Sequence, residues 1–173
     1  IMDFRELIRS PEYDFLRDDQ RLGRRIILLG LGGSYAYGTN NEDSDIDLRG
    51  VTLPLSSDLL GLTDFEQFED RRTDTVVYSF IKIVKLLLEC NPNTCEILGL
   101  DEDQYLIRTE LGQELIDHSH LFLSKRAARS FGGYASAQLR RLQNALARDS
   151  VPQAEREKHI LSEERTGGFS ETV

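Results

Sequence analysis

Two cysteines are all that the 173 residues contain. Cys90 and Cys95 have four residues between them, and no second pair exists to build a disulfide framework or a four-ligand zinc site. Reduced, partly buried thiols are the expectation. Long apolar runs are missing as well. Ile26–Leu31 and Leu86–Leu88 are far shorter than a membrane span requires. The opening IMDFRELIRS lacks the apolar core and small-residue cleavage site of a signal peptide, so the cytoplasm is the expected location. Positive charge is scarce: 21 basic residues face 30 acidic ones, for a net charge of −9. This excludes a generally basic nucleic-acid-coating protein but leaves room for a local basic face. With 39% hydrophobic residues and 13 glycines, the chain can still bury a core, and its length suits one domain or one domain with a helical appendage.

Ser10-Pro11-Glu12 reads as a helix start, and a helix through Tyr13, Phe15, Leu16 and Leu22 is expected to end near Gly23. Arg25–Leu31 reads as a strand covered on both faces, because it is β-branched and apolar throughout. GGSYAYGTNNEDSD then fits a strand-to-helix turn and loop. Asp45–Thr52 alternates, which predicts Asp45, Asp47 and Arg49 on one face of a second strand. Pro54–Asp70 reads as an acidic loop, and Thr73–Tyr78 as a third strand. Ser79 caps the helix FIKIVKLLLE, and Asn91-Pro92-Asn93 ends it. From His118 to Arg148 there are six basic residues and no acid. On a helix over Tyr134–Leu146, Leu139, Leu142, Ala145 and Leu146 take one side, while Arg140, Arg141, Asn144 and Arg148 take the other. The polar tail after Pro152 is expected to be mobile or docked elsewhere.

The stretch that carries chemistry is Gly32-Gly33-Ser34 followed, after ten residues, by Asp45-x-Asp47. It is no dinucleotide-binding fingerprint, since the third glycine position falls on Tyr35. Nor is it a P-loop, because Thr39 and Asn40 stand where Lys and Ser/Thr are required. Asp43-x-Asp45-x-Asp47 imitates a calcium loop until Leu48 replaces its glycine and Pro54 its bidentate glutamate. What remains is a small-residue turn after one strand and two aspartates on the next. Neighbouring carboxylates repel, which raises one pKa. A pair of Mg²⁺ ions relieves that repulsion and offers a charge clamp for phosphoryl transfer. The glycines let backbone N–H groups approach a phosphate, and Ser34 can donate to one. Asp74 opens the third strand as a third acid, with Glu66, Glu69 and Asp70 as competitors.

LGGSYAYGTNNEDSDIDLRGV and TDTVVYSFIKIVKLLLECNPNTCEILG together resemble the DNA-polymerase-β-like nucleotidyltransferase superfamily. Within it they resemble the RNA-repair-associated polymerase-β branch. The resemblance spans about residues 20–150 and includes SFGGYASAQLRRLQNAL. It implies an α+β fold, a small mixed sheet flanked by helices and followed by a helical C-terminal unit, with the domain over residues 1–108 and the helical unit over 109–173. It also implies a longer helical part in relatives than this chain holds. It assigns Asp45, Asp47 and Asp74 to catalysis and to two Mg²⁺ ions (Mn²⁺ as a substitute), with Gly32, Gly33 and Ser34 on the NTP triphosphate. The implied reaction is attack of an acceptor hydroxyl on the NTP α-phosphorus, the acceptor being RNA or else a protein or small molecule. The alternative is an antitoxin-like regulatory module that binds nucleotide with little or no turnover.

Other residues are weaker candidates. Lys82, in the first turn after Ser79, could reach a phosphate. Arg49 reads as a phosphate contact or as the partner of Asp47. Asn91, Asn93 and Glu96 read as turn and cap residues, with lining of the cleft as the alternative. His118 and His120 are poorly spaced for a helical metal pair. Tyr35 and Tyr37 read as core near the turn rather than as base platforms. Arg140, Arg141 and Arg148 could hold RNA phosphates.

Overall fold

Seven consecutive apolar or glycine residues leave the strand at Ile26–Gly32 no polar face to offer water, so it must have neighbours on both sides and cover on both faces. The computed structural model describes residues 3–150 except Asp43 and Leu123. In it this strand, β1 (Ile26–Gly32), is buried at every residue. It lies in a mixed five-stranded sheet with β2 (Asp47–Thr52), β3 (Gln67–Asp70), β4 (Thr75–Ser79) and β5 (Tyr105–Arg108), in the order β3-β4-β2-β1-β5. β1 is antiparallel to β2 and β5, β3 is antiparallel to β4, and β2 runs parallel to β4.

The core divides into two clusters. Around α1 (Phe4–Leu7) and α2 (Phe15–Asp18), Tyr13, Leu16 and Leu22 pack with Leu29, Leu31, Leu48 and Val77. Chain order then brings α3 (Gly33–Ala36), α4 (Ser56–Leu59), α5 (Phe80–Leu88), α6 (Pro92–Cys95) and α7 (Glu110–Asp117). Ile83 and Leu87 of α5 and Leu115 of α7 join Ile27, Leu28, Val51, Ile97 and Tyr105 in the second cluster. Each fully buried leucine contributes about 1.5–3 kcal/mol over an exposed one, so burying the whole of β1 anchors the sheet that carries the site.

Local expectations mostly hold. Ser79 Oγ accepts the Lys82 N–H at 3.2 Å and starts α5, and both cysteines are free. Four expectations shift. The helix from Ser10 to Leu22 is broken into a 3₁₀ turn at Pro11–Tyr13 and the short α2. The Arg17 guanidinium donates to the carbonyls of Ile8, Arg9 and Ser10 at 2.6–3.3 Å, which folds the segment back on itself. The acidic segment before Asp70 is not all loop: it holds α4 and β3, and β3 exists because β4 pairs with it. β2 begins at Asp47 rather than Asp45. Pro92 opens α6 with Asn91 as its cap, rather than only ending α5. The strand β5 carries no pattern legible in sequence.

The chain divides into two compact units, residues 1–131 and 132–173. The helix α8 (Lys125–Ser150) supplies the described part of the second unit. No helix among the described residues is long and apolar enough to cross a membrane.

Candidate functional site

Strand direction assembles the site. Because β1 and β2 are antiparallel with Gly32 opposite Asp47, the end of β1 meets the start of β2. Because β2 and β4 are parallel with Leu48 opposite Thr75, the start of β4 arrives at the same edge. Asp74 lies one residue before β4, at the end of the β3–β4 turn. Its φ of +42° is a backbone conformation that aspartate tolerates better than most residues. Its carbonyl accepts the Leu48 N–H at 3.0 Å, which fixes it beside Asp47. Ser34, Asn41, Ser44, Asp45, Asp47 and Asp74 line a cavity of about 490 Å³ at this edge. Asp45 reaches it from the coil before β2, exposed, rather than from the strand.

The two glycines answer different demands. Gly33 has φ +58°, and a Cβ there would overlap the Asp47 Oδ2 oxygen. Only a residue without a side chain lets the turn sit against that carboxylate. A Cβ on Gly32 would lie 2.9 Å from Arg49 Cγ, 3.2 Å from Glu96 Oε1 and 3.4 Å from Asp47 Cβ, so three polar side chains converge on this backbone. Ser34 is held by its own carbonyl, which accepts the Thr39 N–H at 2.9 Å. Asn41 and Ser44, which sequence reasoning passes over, brace the loop through the Asn41 N–H to Ser44 Oγ at 2.8 Å.

Repulsion between carboxylates is present, but the close partner of Asp47 is Asp74 rather than Asp45. The Asp47 carboxyl is pushed up to about 6, first by burial, then by its hydrogen bond to Asp74 and the charge of Asp74. Arg49 opposes the rise and Glu96 adds to it. Arg49 lies 3.6 Å from Asp47 and 3.4 Å from Asp74 and donates to the Asp74 carbonyl at 2.8 Å; of its two sequence readings, charge balance is the one realised. A folded-state pKa above the unfolded value means that the ionised form opposes folding above about pH 6. That penalty fades as pH falls from 6 toward 3.8. In the presence of a chelator, Asp47→Asn is therefore expected to raise the melting temperature at pH 8 and to lose the advantage by pH 4. A shift of equal size at both pH values would refute the assignment.

The remaining candidates separate. Lys82 stands at the far end of β4 from Asp74, across the five residues Thr75–Ser79, and its ammonium pairs with Glu66 at 2.8 Å. It does not line the cavity. Of the competing acids, Glu66 is therefore committed, and Asp70 pairs with Arg72 at 2.8 Å. His118 and His120 are exposed, each ring nitrogen close to a backbone carbonyl. Tyr35 packs edge-on against Phe4 at 5.3 Å, as a core residue. Tyr37 is 54% exposed and is not core. Arg140 is exposed on α8; the side chains of Arg141 and Arg148 lie outside the described residues. Glu96 reads first as a cap in the sequence, yet its carboxylate lies at the glycine turn: burial pushes its pKa up, and the Tyr37 hydroxyl and Gly33 N–H oppose that rise.

Chemically, the edge offers carboxylate oxygens, a hydroxyl and a glycine turn, the donor set of a hard divalent cation. Among the described residues no three His, Cys, Asp or Glu side chains form a ready-made metal cage.

A family model described as RlaP, RNA repair pathway DNA polymerase beta family, matches residues 10–159. No curated protein and no solved structure matches the chain.

Proposed function

Because this chain belongs to the RNA repair pathway DNA polymerase beta family, we propose that it transfers a nucleoside monophosphate from an NTP to an acceptor hydroxyl on RNA. The observation that carries this reading is the meeting of Ser34, Asp45, Asp47 and Asp74 on one cavity, with the Gly33 turn pressed against Asp47.

In this reading Gly32, Gly33 and Ser34 receive the triphosphate, and Asp45, Asp47 and Asp74 hold Mg²⁺, with Mn²⁺ as a substitute. When bound, the metal supplies positive charge against the triphosphate and the departing pyrophosphate. The acceptor oxygen bonds to the α-phosphorus as the bond to the bridging oxygen breaks, and pyrophosphate leaves in line. Asp74, half-exposed at the cavity and next to Asp47, takes the hydroxyl proton. Arg49 holds both aspartates at the cavity and limits their repulsion before metal and nucleotide arrive. Lys82, paired with Glu66, has no part in this scheme. Arg140, Arg141 and Arg148 are assigned to RNA phosphates on chemistry alone.

Incubation with each α-labelled NTP and a mixed acceptor pool tests the proposal. Label on RNA, pyrophosphate released in equal amount, and loss of both on chelation are expected. Label on a protein or small molecule would overturn the RNA assignment. NTP binding without pyrophosphate release would overturn the enzymatic reading and leave a regulatory nucleotide-binding module.

A further inference from the structure

We infer that Glu96 is a positioning residue of the nucleotide site, which holds the Gly32-Gly33-Ser34 turn in its phosphate-receiving shape by gripping it from behind. The inference rests on the nucleotidyltransferase reading and extends it to the CNPN…EIL segment, which that reading left without a role.

Three independent features point to it. The first is the contact itself. The half-buried Glu96 carboxylate lies against the turn, its Oε1 3.2 Å from where a Cβ on Gly32 would stand, and the Gly33 N–H and Tyr37 hydroxyl favour its charged form. A Cβ on Gly32 would crowd Arg49 Cγ at 2.9 Å and force Oε1 to yield by a few tenths of an ångström, so the glycine gives the carboxylate its close approach.

The second feature is the rigidity of the arm. Asn91 caps α6 by accepting the Asn93 N–H on its side chain at 3.1 Å and the Cys95 N–H on its carbonyl at 3.0 Å. Pro92 presets the first helical position. On either side of Glu96, Thr94 is 2% exposed and Ile97 is 1% exposed. The Ile97 carbonyl also accepts the Tyr105 hydroxyl at 2.8 Å. A side chain rooted in backbone pinned by the buried Thr94 and Ile97 loses little freedom on engaging the turn, so it can impose a shape on the turn it touches.

The third is the cost of the arrangement. A carboxylate is withdrawn from water and set near Asp47, whose carboxyl it pushes up. Its pKa is raised, with burial as the main cause. A group with a purely local capping task could face solvent, as Asp101 does before the 3₁₀ turn Glu102–Gln104. Here the Glu96 charge faces the turn at Gly32 and Gly33 without any ligand. The left-handed Gly33 and the Ser34 that follows it are thereby set before any phosphate arrives, which is preorganisation in the physical sense.

The test compares the wild-type chain with Glu96→Ala, Glu96→Asp and Glu96→Gln. Affinity for each of the four common NTPs with Mg²⁺ is measured by calorimetry, and KM and kcat by pyrophosphate release. Glu96→Ala is expected to raise Kd and KM about tenfold, the worth of one bond to a charged acceptor, while kcat stays within about twofold because saturating NTP restores the turn. Glu96→Asp keeps the charge but falls one methylene short of Gly33, so it is expected to weaken binding severalfold, and it serves if the alanine variant does not fold. Glu96→Gln keeps an acceptor for Gly33 and should recover most of the affinity. Unchanged Kd in Glu96→Asp and Glu96→Ala would overturn the inference, as would tighter binding, which would make Glu96 a competitor of phosphate. A fall in kcat at constant KM would overturn it too. If wild type itself binds none of the four NTPs, the nucleotidyltransferase reading fails, and the inference with it.

Discussion

Asp47→Asn is expected to lower nucleotidyl transfer by about a thousandfold while the chain remains folded. The substitution keeps the shape of the side chain and leaves an amide able to donate to Asp74, the present hydrogen-bond partner. What it removes is a negative charge at the one position touched by Asp74, Arg49 and the Gly33 turn. Electrostatic stabilisation by a metal-bound carboxylate contributes several kcal/mol to a phosphoryl-transfer transition state, and about 4 kcal/mol corresponds to a thousandfold in rate. The informative comparison is between activity and stability. The metal-free variant should be the more stable protein above pH 6, because its ionised carboxylate no longer opposes folding. Transfer at wild-type rates in a folded Asp47→Asn protein would remove Asp47 from the metal site.

Gly33→Ala should be nearly as damaging by a different route. A Cβ there overlaps Asp47 Oδ2 and lies 3.0 Å from its Cγ, and the backbone sits at φ +58°. Left-handed backbone costs a non-glycine residue about 1–2 kcal/mol before any clash is counted. Relief requires either that the turn swing away, taking Ser34 from the cavity, or that Asp47 leave Asp74. Either movement displaces a reacting partner by about an ångström, enough to cost roughly a hundredfold in transfer. Gly38→Ala is the matched control. It has φ +63°, but a methyl added there would meet nothing within 4 Å, so it should lose a little stability and keep its activity. If both variants lost activity equally, backbone strain alone would be responsible and the close packing of Gly33 on Asp47 would be irrelevant.

How much of this was readable in one dimension depended on the range of the interaction concerned. Cap and turn chemistry acts within four residues, so Ser79 announced α5 and the apolar run announced β1. The glycine pair and the two aspartates stood out because their spacing is short and their residue types are unusual for a plain strand. β3 and β5 did not stand out. Four-residue strands such as QFED and YLIR carry too few residues for a period, and each exists through a partner elsewhere in the chain.

For the site, the sequence by itself determined which side chains were available: a glycine turn, three aspartates, a serine, an arginine on the same strand as Asp47. Their meeting was decided by the tertiary structure. The parallel register of Leu48 with Thr75 brings Asp74 beside Asp47 from a distant part of the chain, and the same strand carries Lys82 away from them at its other end. Glu96 enters from still farther along the chain because the 3₁₀ turn that follows α6, Glu96–Leu98, packs against β1. No local rule encodes these placements, since strand direction and helix docking are chosen by burial of the whole sheet. The net charge of −9 is likewise a property of the sequence; that two of those charges face each other at one sheet edge is a property of the fold.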